Sequence, residues 1–164
     1  ELQKDDHARL AHEFTGASGV KVHGLDGWQA LKAQLPPRER RALVLIDPPY
    51  ESRDEFQMLL NGIDAALRRF ASGVYCAWYP LKHEAAVTAF HDGLRNLDVE
   101  ICLIEMTCGA LRDEHGQPRF AGTGMAIINP PYVLAEEMRA ILPWLSTVLG
   151  ERDGMATWSV RTAE

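Results

Sequence analysis

Residues 42–50 run an apolar strand pattern, Ala-Leu-Val-Leu-Ile, straight into Asp47, Pro48, Pro49 and Tyr50, a tetrad suited to methyl transfer onto an amino nitrogen. The nitrogen of an adenine or an amide is a poor nucleophile because its lone pair is delocalised. A catalyst must therefore hold it with acceptors that favour the localised, tetrahedral form. Asp47 supplies one. The carbonyl of Pro48 supplies another, since two successive prolines have fixed φ and no N–H of their own, which leaves a stiff acceptor. Tyr50 offers a flat face on which a base can stack. Asp-Pro-Pro also reads as an ordinary strand-ending turn. The all-apolar strand before it, the aromatic after it and the helical pattern that follows favour the site.

Elements that would position this tetrad are legible along the chain. Residues 20–23, 42–47, 73–80, 99–106 and 124–131 read as strands, three of them nearly continuous apolar runs of the kind found in sheets covered on both faces. Phe56, Leu59, Leu60, Ile63, Leu67 and Phe70 follow a helical period, and so do Val87, Phe90, Leu94 and Leu97. A long helix is expected over roughly 133–149, kinked at Pro143, with a last strand at 155–161. This alternation predicts an α/β fold with a doubly wound, mostly parallel sheet. Ligands of such sheets sit beyond the carboxyl ends of the strands, which is where Asp47 stands. Asp26 falls at the start of a helix over 27–34, where it reads equally as an N-cap and as a cofactor contact. Glu1, on its residue type alone, is a terminal exposed acid.

The chain has 164 residues, 46% of them hydrophobic and 24% charged, which fits one globular domain and excludes a disordered or fibrous class. A net charge of −6 argues against a protein whose main work is coating nucleic acid. Arg38, Arg40, Arg41, Arg68 and Arg69 could form a local basic patch, although a solvated face is the simpler reading of each. No apolar run approaches a membrane span and no charged-then-apolar leader opens the chain, so a cytoplasmic protein without membrane contact is expected. Cys76, Cys102 and Cys108 suggest no disulfide framework, and the six histidines fall into no ligand spacing, so no metal is assigned.

Taken in order, E-L-x-K-x-D at the start, G-x-D-G-W-Q-x-L-K-A at 24–33, L-P-P at 35–37, L-I-D-P-P-Y-E at 45–51, Y-x-x-W-Y-P at 75–80 and I-N-P-P-Y at 128–132 resemble the bacterial 23S ribosomal RNA adenine N6-methyltransferases, also labelled proteins involved in catabolism of external DNA. The resemblance covers nearly the whole chain. It implies a Rossmann-like, S-adenosylmethionine-binding fold. Glu1 then corresponds to the acid that holds the cofactor ribose, Asp26 and Gly27 to the adenine-ring contact, and Asp47 to the acceptor of the catalytic motif, with Pro48, Pro49 and Tyr50. The implied partner is 23S ribosomal RNA; the sequence leaves the oligomeric state open, with a monomer expected for the full-length protein. Members of the family carry, ahead of the position of Glu1, a basic and histidine-containing segment and a Gly-rich turn for the methionine end of the cofactor. The only G-x-G here, Gly122-Thr-Gly124, precedes a strand instead of following one. The expectation is a single methyltransferase domain over 1–164 that lacks its N-terminal strands and so exposes an apolar sheet edge.

Asn129-Pro130-Pro131-Tyr132 competes with the first tetrad, because an Asn carbonyl accepts hydrogen bonds much as a carboxylate does. Its place after the last apolar strand, away from the cofactor strands, marks it as a strand-ending turn that could also shape the substrate pocket. The long loop 109–123, with Arg112, His115 and Arg119, reads as a flexible surface loop or as an RNA-contacting flap in which Arg112 and Arg119 bind substrate. The expected reaction is methylation of an adenine N6 in ribosomal RNA. A DNA adenine methyltransferase, a glutamine methyltransferase using the second tetrad, and a nucleic-acid-handling factor without methyl transfer are the alternatives.

Overall fold

The computed structural model describes residues 1–52, 54–117, 119–151 and 156–163. Two helices come first, α1 (Lys4–Glu13) and α2 (Gly27–Gln34). They are followed by β1 (Leu43–Ile46), α3 (Glu55–Arg69), β2 (Val74–Pro80), α4 (Glu84–Arg95) and β3 (Ile101–Thr107). β4 (Gly122–Ile128), α5 (Leu134–Leu149) and β5 (Thr157–Ala163) complete the order. The last strand agrees with the reading at 155–161, of which Met155 lies outside the described residues.

Residues 20–23 form no strand. Their alternation suits a pleat, but a strand exists only where a neighbour takes up its backbone groups, and Val20 instead closes a turn on the carbonyl of Ala17 at 3.4 Å. The helix α1 is not legible in the sequence because it buries no residue and so shows no apolar stripe. α5 runs through Pro143 as one helix, with the hydroxyls of Ser146 and Thr147 donating to the Pro143 carbonyl at 2.9 and 3.0 Å.

The sheet order is β1-β2-β4-β3-β5. The α/β layering is as expected, while the pairing is mixed: β1 and β2 are parallel, and β4 is antiparallel to both β2 and β3, as β5 is to β3. The cause lies in the connection. β3 and β4 are joined by a loop with no helix among its described residues, which returns the chain antiparallel, and β4 then slots between β2 and β3. β1, β2 and β3 consequently all run the same way, with their carboxyl ends along one edge.

Alternation along the strands sorts residues onto two faces. Tyr75, Ala77, Tyr79, Ile101, Leu103, Ala126 and Ile128 pack with Leu31 of α2, with Leu59, Ile63 and Leu67 of α3, and with Phe90 and Leu94 of α4. α5 lies against β3 and β5 and buries Leu142. At β1 the second face is open: Leu43 and Leu45 are 68% and 64% exposed on an edge strand. That matches the expected apolar edge.

Gly122 and Gly124 belong to β4, where they serve packing. Gly124 sits between Tyr79 of β2 and Glu105 of β3 in register, and a Cβ there would run into the Tyr79 ring. The missing side chain lets the Tyr79 hydroxyl cross β4 and donate to Glu105 Oε1 at 3.0 Å.

Candidate active site

The tetrad begins one residue after the buried Ile46, at the carboxyl end of β1. Tyr50 takes φ +54°, the left-handed region. For a bulky residue this conformation costs about 1–2 kcal/mol, and it persists only where surrounding contacts fix it. Those contacts are present. The Tyr50 hydroxyl donates to the Trp78 carbonyl at 2.8 Å, and its ring lies 5.0 Å from that of Phe56 and 5.5 Å from that of Trp78. Burial first, then the charges of Glu55 and Asp47, push the Tyr50 hydroxyl upward, so it remains a protonated donor. Trp78 in turn meets Phe120 at 6.2 Å, which ties the loop after β3 to the tetrad through one chain of aromatic rings.

Asp47, Pro48 and Pro49 face an open groove of about 1250 Å³ that also reaches Glu1, Asp26 and Gly27. Every residue expected to hold a cofactor therefore lies on one surface. Trp28, Leu31 and Leu35 give the groove an apolar wall, and its charge is one-sided: Glu1, Asp26, Asp47, Glu51 and Glu55 stand against Lys21. Asp26 does cap α2, accepting from the Gln29 N–H at 3.0 Å, and this leaves its second oxygen for a ligand. Glu1 accepts from the Gln3 N–H at 2.7 Å, and that bond holds its carboxyl below the usual range. Glu55 is different in kind. It is only 8% exposed, and its Oε2 is enclosed without a hydrogen-bond partner among the described residues.

A second groove, of about 760 Å³, opens on the same edge of the sheet, past the carboxyl ends of β2 and β3. Lys82, Arg112, Trp158 and Arg161 line it. Arg112 donates to the Gly116 carbonyl at 2.9 Å, and Arg119 forms an ion pair with Glu151. Beneath this groove Glu105 accepts from Tyr79 and, at 2.5 Å, from Arg161, while His91 Nε2 lies 3.0 Å from the Tyr79 oxygen. The arginine cluster of the sequence is elsewhere: Arg41 precedes β1, and Arg68 and Arg69 end α3 beside the start of β2, at the far edge from Asp47. Arg68 is paired with Asp64 at 2.7 Å and Arg69 donates to the Leu35 carbonyl at 3.2 Å, in keeping with a solvated face.

Three residues of this region escape a reading of the sequence. Glu55 looks there like an ordinary acid in the first turn of a helix, Trp78 like strand filling, and Phe120 like one of several apolar residues in a long loop. Of the three, only Phe120, the one large aromatic of that loop, carries a signal. Among the described residues no group of three or more His, Cys, Asp or Glu is disposed to hold a metal ion, and no helix is long and apolar enough to cross a membrane.

A sheet layered with helices, with its groove at the carboxyl ends of codirectional strands, places the chain among the Rossmann-like α/β proteins. A family model described as RsmJ, "Ribosomal RNA large subunit methyltransferase D, RlmJ", matches residues 1–162, and the chain belongs to that family. Ribosomal RNA large subunit methyltransferase J of Haemophilus influenzae is 37% identical over 161 residues, covering 98% of this chain and 56% of that protein. Its namesake in Escherichia coli is 37% identical over 164 residues, covering 98% of this chain and 58% of that protein. The crystal structure of protein LPL1258 from Legionella pneumophila superposes with a TM-score of 0.89 at 30% identity, over all of this chain and 59% of that one. The chain thus spans somewhat more than half the length of these relatives.

Proposed function

We propose that this chain carries the catalytic half of a methyltransferase that moves a methyl group from S-adenosylmethionine to the exocyclic N6 of an adenine in 23S ribosomal RNA, in the cytoplasm. The observation that carries the reading is the single groove shared by Glu1, Asp26, Gly27 and Asp47, lined also by Pro48 and Pro49 of the tetrad, with Tyr50 following directly in the chain. The donor set fits the cofactor: free carboxylate oxygens suit ribose hydroxyls and an adenine amino group, and a groove with five acids and one lysine suits a ligand of net positive charge. When bound, the cofactor supplies an electrophilic methyl group.

The chain's own residues supply position. Asp47 and the Pro48 carbonyl accept the two hydrogens of the target amino group, which breaks its conjugation and aims the lone pair along the groove. Tyr50, pinned by its hydroxyl, sets the plane against which the base rests. No prior deprotonation is needed, because the nitrogen becomes acidic as its bond to the methyl forms, and its proton then passes to the Asp47 carboxylate or to water. An adenine inside a stack cannot enter, so the target must be unpaired or flipped at a cost of a few kcal/mol. Arg112 and Arg119, on the same edge as the tetrad, meet the RNA backbone, and Phe120 couples their loop to Trp78 and Tyr50.

The open edge of β1 is the place for further strands of the same domain, in line with the relatives' greater length. Residues 1–164 alone are then expected to bind S-adenosylmethionine poorly, since they lack a glycine-rich turn for its methionine end. Micromolar binding by calorimetry would overturn this. Mass spectrometry of ribosomal RNA from a deletion strain tests the function: loss of one N6-methyladenine supports it. Unchanged ribosomal RNA would turn attention to DNA adenine or to a role without methyl transfer.

A further inference from the structure

Glu55 opens α3 in the first helical position and lines the groove beside Asp47, Pro48 and Pro49. It is more than nine-tenths buried, and one of its oxygens has no hydrogen-bond partner among the described residues. Burying an unpaired carboxylate costs several kcal/mol. The N-terminus of α3 offsets only a small part of that. The neighbouring acids Asp47 and Glu51 enlarge the imbalance, and Lys21 is the single cationic side chain among the described residues that line the groove. The unpartnered Oε2 leaves room for a cationic partner supplied by the groove.

We propose that Glu55 is the residue by which the site recognises the positive charge of the methyl donor, and so favours S-adenosylmethionine over the S-adenosylhomocysteine left after transfer. This rests on the methyltransferase reading above. A sulfonium is a fixed cation that no proton transfer can remove, and loss of the methyl group turns it into a neutral thioether. Transfer requires that methyl to meet the nitrogen held by Asp47 and Pro48, which line the same groove as Glu55, so the bound sulfonium would come under the influence of its carboxyl group. A carboxylate in a water-poor setting discriminates charge more strongly than a solvated one. The acids at the exposed end, Glu1 and Asp26, meet parts of the ligand that transfer leaves unchanged. Glu55 is therefore a specificity-determining residue, with Asp47 remaining the catalytic one.

Calorimetry on the full-length protein with both ligands tests this. Glu55→Gln keeps the shape and removes the charge. It should weaken S-adenosylmethionine about tenfold, the size of one modest buried charge interaction, and leave S-adenosylhomocysteine within about twofold. Glu55→Asp should retain the wild-type ratio. Equal losses for both ligands, or no loss for either, would overturn the inference. The wild-type protein gives a second test that does not depend on a variant folding. An aza analogue, with a protonated nitrogen in place of the sulfur, should outcompete the thioether by about tenfold, and parity between the two overturns the inference. Failure of the wild type to bind any of these ligands is a different result and defeats the methyltransferase reading itself.

Discussion

The two proline tetrads, Asp47-Pro48-Pro49-Tyr50 and Asn129-Pro130-Pro131-Tyr132, have the same form and opposite fates. Each follows an apolar strand, and each contains a residue of positive φ, Tyr50 at 54° and Asn129 at 53°. Asn tolerates that conformation at little cost, whereas a tyrosine there is strained and has to be pinned. The polar leaders differ as well. Asp47 faces the groove. Asn129 is committed to the fold: its side-chain amide donates to the carbonyls of Ala71 and Gly73 at 2.7 and 2.8 Å, and its N–H to that of Glu100 at 2.9 Å. Tyr50 is braced by two rings, while Tyr132 is fully exposed. Strand direction separates them. β4 runs against β1 and β2, so its end at Ile128 pairs with Tyr75, at the start of β2, and the two tetrads finish at opposite edges of one sheet.

The sharpest way to break this comparison is a crossed pair of substitutions in the full-length protein. Asp47→Ala should lower methyl transfer by at least about two orders of magnitude, the scale of a lost transition-state partner, with the unfolding midpoint little changed. Transfer within a few-fold of wild type would move the site, and Asn129 would be the next residue to test. Asn129→Ala should do the reverse. It leaves two carbonyls without their donor and should cost about 1–3 kcal/mol of stability in urea unfolding, with transfer by the folded protein near wild type. A catalytic collapse in Asn129→Ala without destabilisation would erase the distinction.

Sequence carries the first tetrad further than the second. Asp47 is legible because a β-branched and leucine-rich strand stops on it, and Asp26 because a cap has a recognisable composition. The structural role of Asn129 depends on strand direction, which is set by the helix-free return between β3 and β4. Neither the periodicity of 99–106 nor that of 124–131 encodes it. Residues 20–23 show the same limit from the other side: alternation is present and a partner is not. Glu55 is hidden for another reason, since an acid at the start of a helix is ordinary and only its enclosure makes it informative.

Smaller effects refine the edge that carries Asp47. Tyr50→Ala should weaken adenine engagement by about 1–3 kcal/mol, the stacking scale. Tyr50→Phe keeps the ring but frees the Trp78 carbonyl, so its loss should be near ~1 kcal/mol. Equal losses in the two variants would show that the hydroxyl tether matters more than the ring. Arg112→Ala combined with Arg119→Ala should reduce the salt slope of RNA binding by about one unit per lost phosphate contact. An unchanged slope would return the loop to a surface element.

The weakest expected effect also divides the two edges, through acid. His91 of α4 sits under the second groove, against Tyr79 of β2, Glu105 of β3 and Arg161 of β5, with Arg95 and Asp92 on its own helix. Burial lowers its pKa, aided by Arg161 and Arg95, against the opposing pull of Glu105 and Asp92. Neutral His91 can donate from Nε2 to the Tyr79 oxygen while Tyr79 donates to Glu105. Above the ordinary histidine value of 6.5 both folded and unfolded chains are neutral at this position; as pH falls through it, the unfolded chain takes a proton that the folded chain resists. Stability is therefore lost below about pH 6.5, until the folded pKa is reached. The loss belongs to the edge that carries Asp47. Amide protection factors, which divide out the general slowing of exchange by acid, should accordingly fall on acidification at Thr107 and along 157–161, and remain unchanged around 71–73 and Asn129, where the ties are uncharged amides. His91→Gln should flatten that dependence. Acid loosening that appears equally at both edges, or that survives His91→Gln, would show that His91 does not set it.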